Sequence, residues 1–170
     1  MKQRIRHLIY FIILIALDQL TKLWAKTTLR NNGPIDIIPN VLKLQYHENS
    51  GAVWGILQGK ANFLSFFTLF ILAVLVYVYF KIPKDSKYSL LKLVFVTIGA
   101  GAIGNMIDRF RYGYVVDFIY FELINFPIFN VADSYVTVSS ILIILLAIFY
   151  YKDEDLAFLD DMFKKRNKDD

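Results

Sequence analysis

Two aspartates in apolar stretches, Asp117 and Asp133, are the side chains of this 170-residue sequence best suited to chemistry. Asp117 lies within VVDFIYF and Asp133 within FNVADSY, so each carboxyl group has mostly hydrophobic neighbours. Two close carboxylates in a low-dielectric setting share one proton, because both cannot ionise comfortably. One can then act as a general base on water while the other donates to a carbonyl. The pair indicates metal-free peptide hydrolysis, with the roles of the two acids left open.

Each aspartate also has a structural interpretation. Asp133 followed by Ser134 before an apolar helix is typical of an N-cap. Asp117 fits a solvated acid at the edge of a strand. The pair favours chemistry over these interpretations, because both acids belong to one loop and can lie at the same membrane depth.

Other hydrolytic chemistries lack their residues. The chain has no cysteine, which excludes disulfides, thiolate nucleophiles and cysteine-ligated zinc. It has two histidines, His7 and His47, and no H-E-x-x-H, so a zinc protease is not favoured. The serines near the last apolar run have no well-placed base. Residues 99–104 spell G-x-G-x-x-G without the βαβ setting of a dinucleotide site, so these glycines indicate helix packing or close approach to a ligand.

The elements that must position the acids are membrane helices. The sequence is 56% hydrophobic with a mean hydropathy of +0.45, which favours the membrane class. About 20 apolar residues cross a bilayer as a helix. We predict a single domain over residues 1–170 with spans at residues 8–25, 61–80, 90–107 and 135–151.

Lysine and arginine predict the orientation of these spans. Twelve of them flank the spans on the side of both termini, and six lie on the other side in the longer loops 26–60 and 109–134. We therefore expect both termini and the tail 152–170 in the cytoplasm. The loop 26–60 is expected to be β-rich, since VLKLQYH alternates apolar and polar residues between turn signals. The charge of +4 follows this topology, so no nucleic-acid partner is expected.

Ionisable residues also occur within the spans, where they are costly and suggest function. Asp18 and Lys22 share one helix face four residues apart, which fits a structural ion pair. Their presence also argues that the basic, apolar start is a retained span and not a cleaved signal peptide. One alternative is a small transporter or channel with Asp18, Lys22, Asp108 and Asp117 as an ion pathway. Most of these acids lie near the outer ends of the spans, which disfavours a pathway through the membrane.

Five sequence blocks in order complete the pattern. They are DQLTK (18–22), NSGAVWGI (49–56), GAGAIGNMIDR (99–109), VVDF (115–118) and FNVADS (129–134). With four spans at these spacings, the chain resembles the lipoprotein signal peptidase family, also called signal peptidase II, of bacterial membrane aspartyl peptidases. An inactive lipid-binding relative is disfavoured by the intact acidic pair.

The resemblance implies an all-α membrane fold of four transmembrane helices with a small extracytoplasmic β-cradle and a short outer helix. It implies removal of the signal peptide from prolipoproteins immediately before a cysteine that carries diacylglycerol, without metal or cofactor. By matching position, Asp117 and Asp133 are the catalytic dyad. The substrate-binding positions are Asn49, Gly101, Asn105, Arg109, Asn130 and Ala132, and the supporting polar positions are Asp18, Lys22 and Asp108. We further expect a monomer in the bacterial cytoplasmic membrane, its active site near the outer leaflet, in contact with membrane lipids and inhibited by globomycin-type cyclic peptides.

Overall fold

The computed structural model describes residues 2–51 and 59–163. Residues 52–56 of the NSGAVWGI block and the tail from residue 164 onward lie outside the described ranges. The helices are α1 (Lys2–Asn32), α2 (Ala61–Lys81), α3 (Ser89–Tyr112), α4 (Val131–Phe149) and α5 (Asp153–Phe163). The first four are long and apolar enough to cross a membrane. The expected membrane fold of four such helices is therefore confirmed.

Helices α1 and α4 start or finish beyond the apolar runs predicted for them. Helix α1 continues to Asn32 because Asp18 and Lys22 pair with each other inside the bundle and so do not interrupt it. Helix α4 begins at Val131, ahead of the expected run, because Asn130 caps its first turn. In the tail, α5 covers Asp153–Phe163.

The connections divide the bundle into two ends. We call the end at which α1 and α3 finish the sheet end, and the end at which they begin the tail end. The sheet end carries an antiparallel sheet in the order β1 (Ile35–Ile38), β2 (Leu42–Asn49) and β3 (Val115–Phe121). A short 3₁₀ helix, Glu122–Ile124, follows β3. The small sheet predicted with the membrane helices is therefore present.

The register of the sheet brings distant residues together near Asp117. Strand β2 pairs with β3 so that His47 lies opposite Asp117 and Asn49 lies opposite Val115. Strand β3 also packs on the end of α1, where Val116 and Phe118 join Ala25 and Leu29 in a buried cluster. Because residues on both sides of Asp117 are anchored in this way, the position of its backbone is set by α1 as well as by the sheet.

Helices α3 and α4 approach each other closely at a glycine. A β-carbon at Gly101 would lie 2.5 Å from the carbonyl oxygen of Ala132 and 2.9 Å from a methyl group of Val136. Only a residue without a side chain permits this backbone contact. The start of α4, which carries Asp133, is therefore held directly against the middle of α3.

Candidate active site

Asp117 is buried and hydrogen-bonded on both carboxylate oxygens. It is 1% exposed. Its Oδ1 accepts a hydrogen bond of 2.6 Å from the Asn130 amide, and its Oδ2 accepts one of 2.9 Å from the Asn49 amide. The interpretation of Asp117 as a solvated acid is therefore wrong, because the packing of β3 on α1 removes it from water.

Asp133 lies in the first turn of α4 and is not its N-cap. The N-cap is Asn130, whose side-chain oxygen accepts from the Asp133 backbone N–H at 3.0 Å. In return, Asp133 Oδ2 accepts from the Asn130 backbone N–H at 3.1 Å, which completes a capping box. The other oxygen, Oδ1, accepts a 2.7 Å bond from the Asn105 amide. The interpretation of Asp133 as the N-cap is therefore wrong, because α4 begins about one turn earlier, after Asn130.

Asn130 connects the two acids. Its Nδ2 donates to Asp117 Oδ1 and, at 3.0 Å, to the side-chain oxygen of Asn105. Its backbone and its side-chain oxygen bind Asp133 as described. Asn130 is fully buried, so no solvent competes for these bonds. Residues that are 16 positions apart in sequence, Asp117 and Asp133, are therefore joined through one shared partner.

The electrostatics of the pair favour retention of a proton. Burial, the largest cause, and the negative charge of Asp133 together raise the pKa of Asp117 from 3.8 to about 7. The hydrogen bonds from Asn49 and Asn130 oppose this shift, since they stabilise the ionised form. Near neutral pH, the pair can therefore hold one proton, as general acid–base chemistry requires.

A second polar network lies beneath the pair, within the membrane-spanning segments. The Lys22 ammonium lies 2.9 Å from Asp18 Oδ2 and 3.3 Å from Asp108 Oδ2. It also donates to the side-chain oxygen of Asn105 at 2.8 Å. All three charged residues are nearly inaccessible, with Lys22 3% exposed. Such a closed ion cluster is unlike the hydrated acids of an ion pathway, and it supports the paired interpretation of Asp18 and Lys22.

This network holds the backbone next to each acid of the pair. Asp18 Oδ1 accepts from the Ala132 N–H at 2.9 Å, immediately before Asp133. Asp108 Oδ2 accepts from the Val116 N–H at 3.0 Å, immediately before Asp117. Because Lys22 binds both supporting carboxylates, one ammonium group links the two backbone segments that carry the acidic pair. We call Asp18, Lys22 and Asp108 the amide clamp.

Comparison with known proteins identifies the family of the chain. The family described as signal peptidase (SPase) II matches residues 10–149. The chain belongs to the signal peptidase II family. A lipoprotein signal peptidase of Streptococcus agalactiae is 42% identical over 143 residues, covering 84% of this chain and 90% of that protein. One of Staphylococcus aureus is 41% identical over 161 residues, covering 93% and 90%.

Two solved bacterial membrane enzymes share the fold. One has a TM-score of 0.73 and 36% identity over 97% of this chain and 94% of its own. The other has a TM-score of 0.74 and 38% identity over 86% and 94%. As a member of the signal peptidase II family with four apolar helices, the chain is a peptidase and a multi-pass bacterial membrane protein.

The remaining residues that the sequence predicts to bind substrate lie around the acids in two settings. Asn49 Oδ1 accepts from the Gly51 N–H at 3.0 Å, and Arg109 Nη2 lies 3.5 Å from the Gly51 carbonyl oxygen. Arg109 is half-buried. Gly101 and Ala132 are buried against each other at the α3–α4 contact. Their assignment to a substrate pocket stays a prediction.

One residue of the site escaped sequence reasoning. Gln19 Nε2 donates to Asp18 Oδ2 at 3.2 Å, to Asp108 Oδ1 at 3.1 Å and to the Gly104 carbonyl at 3.1 Å. A polar residue beside Asp18 on an apolar span was the available signal. Within the described ranges, no group of three or more His, Cys, Asp or Glu side chains is arranged to hold a metal ion.

Proposed function

We propose that this chain is an aspartic endopeptidase that removes the signal peptide from diacylglyceryl-modified prolipoproteins, cutting immediately before the lipidated cysteine. The observation that carries the proposal is the buried Asp117, with its pKa near 7, joined to Asp133 through Asn130. The relatives named lipoprotein signal peptidase support the substrate class.

The reaction uses water and the single proton of the acidic pair. The ionised carboxylate takes a proton from water as the water oxygen attacks the scissile carbonyl carbon. The protonated carboxyl donates to the carbonyl oxygen, which gives a neutral gem-diol. The carboxyl that gained the water proton then protonates the amide nitrogen, and the C–N bond breaks. The other carboxylate recovers a proton from the gem-diol as the carboxylic acid product forms, so the pair returns with one proton.

Amide and guanidinium groups beside the pair position the substrate. Arg109 binds carbonyl or head-group oxygens of the substrate, and Asn49 keeps Asp117 oriented through its 2.9 Å bond. The two acids lie at the sheet end of the bundle. Asp117 is in β3, outside the spans, and Asp133 is in the first turn of α4. We infer that this end faces the outer leaflet of the cytoplasmic membrane and that both termini are cytoplasmic. The lipid chains of the substrate can then stay in the bilayer while water reaches the dyad.

Two conservative variants test the dyad. Asp117→Asn and Asp133→Asn each remove one ionisable group at nearly unchanged volume, so cleavage of a diacylglyceryl prolipoprotein should fall by about 10²–10⁴-fold. Asp36→Asn is the matched control, since Asp36 is an exposed acid of β1 whose ion-pair contact with Lys43 is long, at 3.8 Å. Folding of each variant is checked by thermal unfolding in detergent. Wild-type cleavage rates in either dyad variant would refute the assignment.

The lipid requirement is tested separately with the substrate. An unlipidated precursor of the same sequence should be cleaved far more slowly than the diacylglyceryl form, because it lacks the anchor that holds the scissile bond at the interface. A globomycin-type cyclic peptide should compete with the lipidated precursor. Equal cleavage of both precursors would contradict the proposed substrate class while leaving the aspartic mechanism intact.

A further inference from the structure

A cavity lies at the tail end of the bundle, away from the acidic pair. It has a volume of about 380 Å³ and lies between α1, α2 and α3. Its walls are almost wholly apolar and include Phe11, Leu75, Phe95, Val96 and Gly99. The α1 residues that line it come at least one turn before Asp18. The cavity is therefore separate from the candidate active site, and the proposed peptidase reaction does not use it.

Cationic and hydrogen-bonding groups lie at the mouth of this cavity. Arg4 is part of its wall, and the guanidinium carbon of Arg4 lies 5.1 Å from the centre of the Phe80 ring. The buried His7 also lines it and shares a 2.9 Å hydrogen bond between its Nδ1 and the Tyr79 hydroxyl. These groups come from the first turns of α1 and the last turn of α2, where a bilayer changes from hydrocarbon to head groups.

Lys92 adds a further cation, which has no anionic partner in the described part of the chain. It lies in the first turn of α3, three, four and seven residues before Phe95, Val96 and Gly99, and so on the same helix face as the cavity wall. Its side chain is 6% exposed, and among residues 2–51 and 59–163 it makes no hydrogen bond or ion pair. No fully buried side-chain nitrogen in those ranges lacks a hydrogen bond, so the Lys92 ammonium opens to the surface.

The cations act on one another electrostatically. His7 interacts electrostatically with Arg6 and Lys92, and Lys92 interacts with Arg4 and Lys84. A concentration of positive charge at the edge of an apolar cavity is unfavourable without an anion. The feature thus combines an acyl-sized apolar space with an uncompensated cationic rim.

We propose that this cavity binds an anionic phospholipid of the surrounding membrane. One acyl chain fills the space between α1, α2 and α3, and the phosphate lies between Arg4 and Lys92, within reach of the His7–Tyr79 pair. Basic pockets between membrane helices select anionic head groups in this way. The signal peptide of a substrate is the competing occupant, but its basic N-terminal region would be repelled by the same cations.

The first experiment compares lipids on the full-length protein in detergent. Native mass spectrometry counts the phosphatidylglycerol and phosphatidylcholine molecules that the protein retains at equal concentrations. Phosphatidylglycerol should be retained preferentially. Arg4→Gln and Lys92→Gln should each weaken that retention about fivefold, since each removes one cation near the phosphate. Lys81→Gln is the matched control, because it removes the same charge at the same end of the bundle from an exposed side chain, whose ammonium lies 5.5 Å from the centre of the Tyr77 ring and so beside a residue outside the cavity wall.

A second variant tests the acyl chain independently of charge. Gly99→Leu would place a side chain in the cavity from a wall position where a β-carbon meets only Phe11, at 3.5 Å. It should reduce retention of phosphatidylglycerol while the cations are intact, and glycerol phosphate should not displace the lipid. Equal retention of both lipids, or equal losses in Lys81→Gln and Lys92→Gln, would overturn the proposal. Displacement of the lipid by a synthetic signal peptide, with unchanged retention in Arg4→Gln, would assign the cavity to substrate.

Discussion

A methyl group added at Gly104 should disturb the amide clamp. A β-carbon at Gly104 would overlap the Asp18 carboxylate, whose central carbon lies 3.1 Å from the new atom. That carboxylate binds the Ala132 N–H and the Lys22 ammonium, so it cannot move without loss of a contact. We therefore expect Gly104→Ala to displace Ala132 and with it the adjacent Asp133.

The size of the effect follows from three contributions. Loss of a hydrogen bond to a charged group costs about 1.5–3 kcal/mol, and forced repacking costs about 1–3 kcal/mol. Replacement of glycine by alanine within a helix returns about 1 kcal/mol. The free energy of unfolding of Gly104→Ala should therefore fall by about 3 kcal/mol, which lowers the folding equilibrium constant roughly 100-fold.

Two neighbouring glycines supply the controls. At Gly101, the new carbon would lie 2.5 Å from the backbone oxygen of Ala132, which can yield only if α3 and α4 separate, so Gly101→Ala should destabilise at least as much. At Gly99, the nearest atom is a ring carbon of Phe11 at 3.5 Å, an ordinary contact. Gly99→Ala should therefore be neutral or stabilise by about 1 kcal/mol.

The assay combines unfolding with catalysis. Denaturant unfolding in detergent gives the three stabilities, and cleavage of a lipidated precursor below the unfolding transition gives the rates of the folded variants. Folded Gly104→Ala should cleave more slowly than folded Gly99→Ala, because only the former shifts the backbone beside Asp133. If both variants have the same stability and the same rate, the Asp18 contact does not position the acidic pair.

Four further outcomes are expected. Lys22→Met should lower the free energy of unfolding, measured in detergent, by about 3–5 kcal/mol, because it leaves the Asp18 and Asp108 carboxylates buried without a counter-ion. Stability should recover when both acids are also changed to Asn. The cleavage rate should fall as the pH rises above about 7, where the pair loses its shared proton. Because folding raises the pKa of Asp117, the fold is stabilised by about 4 kcal/mol below pH 3.8, and this contribution is lost as the pH rises through about 7. Asp117→Asn removes this contribution. A difference in stability between the wild type and Asp117→Asn that does not change with pH would contradict the burial argument. EDTA should leave the cleavage rate unchanged, and inhibition reversed by zinc would revive a metal mechanism.

Hydropathy predicted the membrane helices and the sequence pattern singled out both acids, but neither predicted how the acids are held. The Asp133–Ser134 pair was interpreted as a possible N-cap because local sequence alone cannot say in which turn a helix begins. Asn130 also satisfies the cap preference, and its capping box starts α4 earlier. Gln19 was missed because its partner Asp108 is on another helix, and helix packing is not visible in a local pattern.

The type of group that contacts each acid explains why the pair can retain a proton. Within residues 2–51 and 59–163, the side-chain hydrogen bonds that Asp117 and Asp133 accept come from the amides of Asn49, Asn105 and Asn130 and not from a cation. A lysine in contact with Asp117 would lower the pKa of that carboxyl by about 1–3 units and release its proton near neutral pH. The buried Lys22 is instead bound by two other carboxylates, those of Asp18 and Asp108. Its charge has the smallest of the main effects on the pKa of Asp117. Neutral donors therefore orient the pair, while the amide clamp keeps the cation one layer away and transmits its constraint through the backbone N–H groups of Val116 and Ala132.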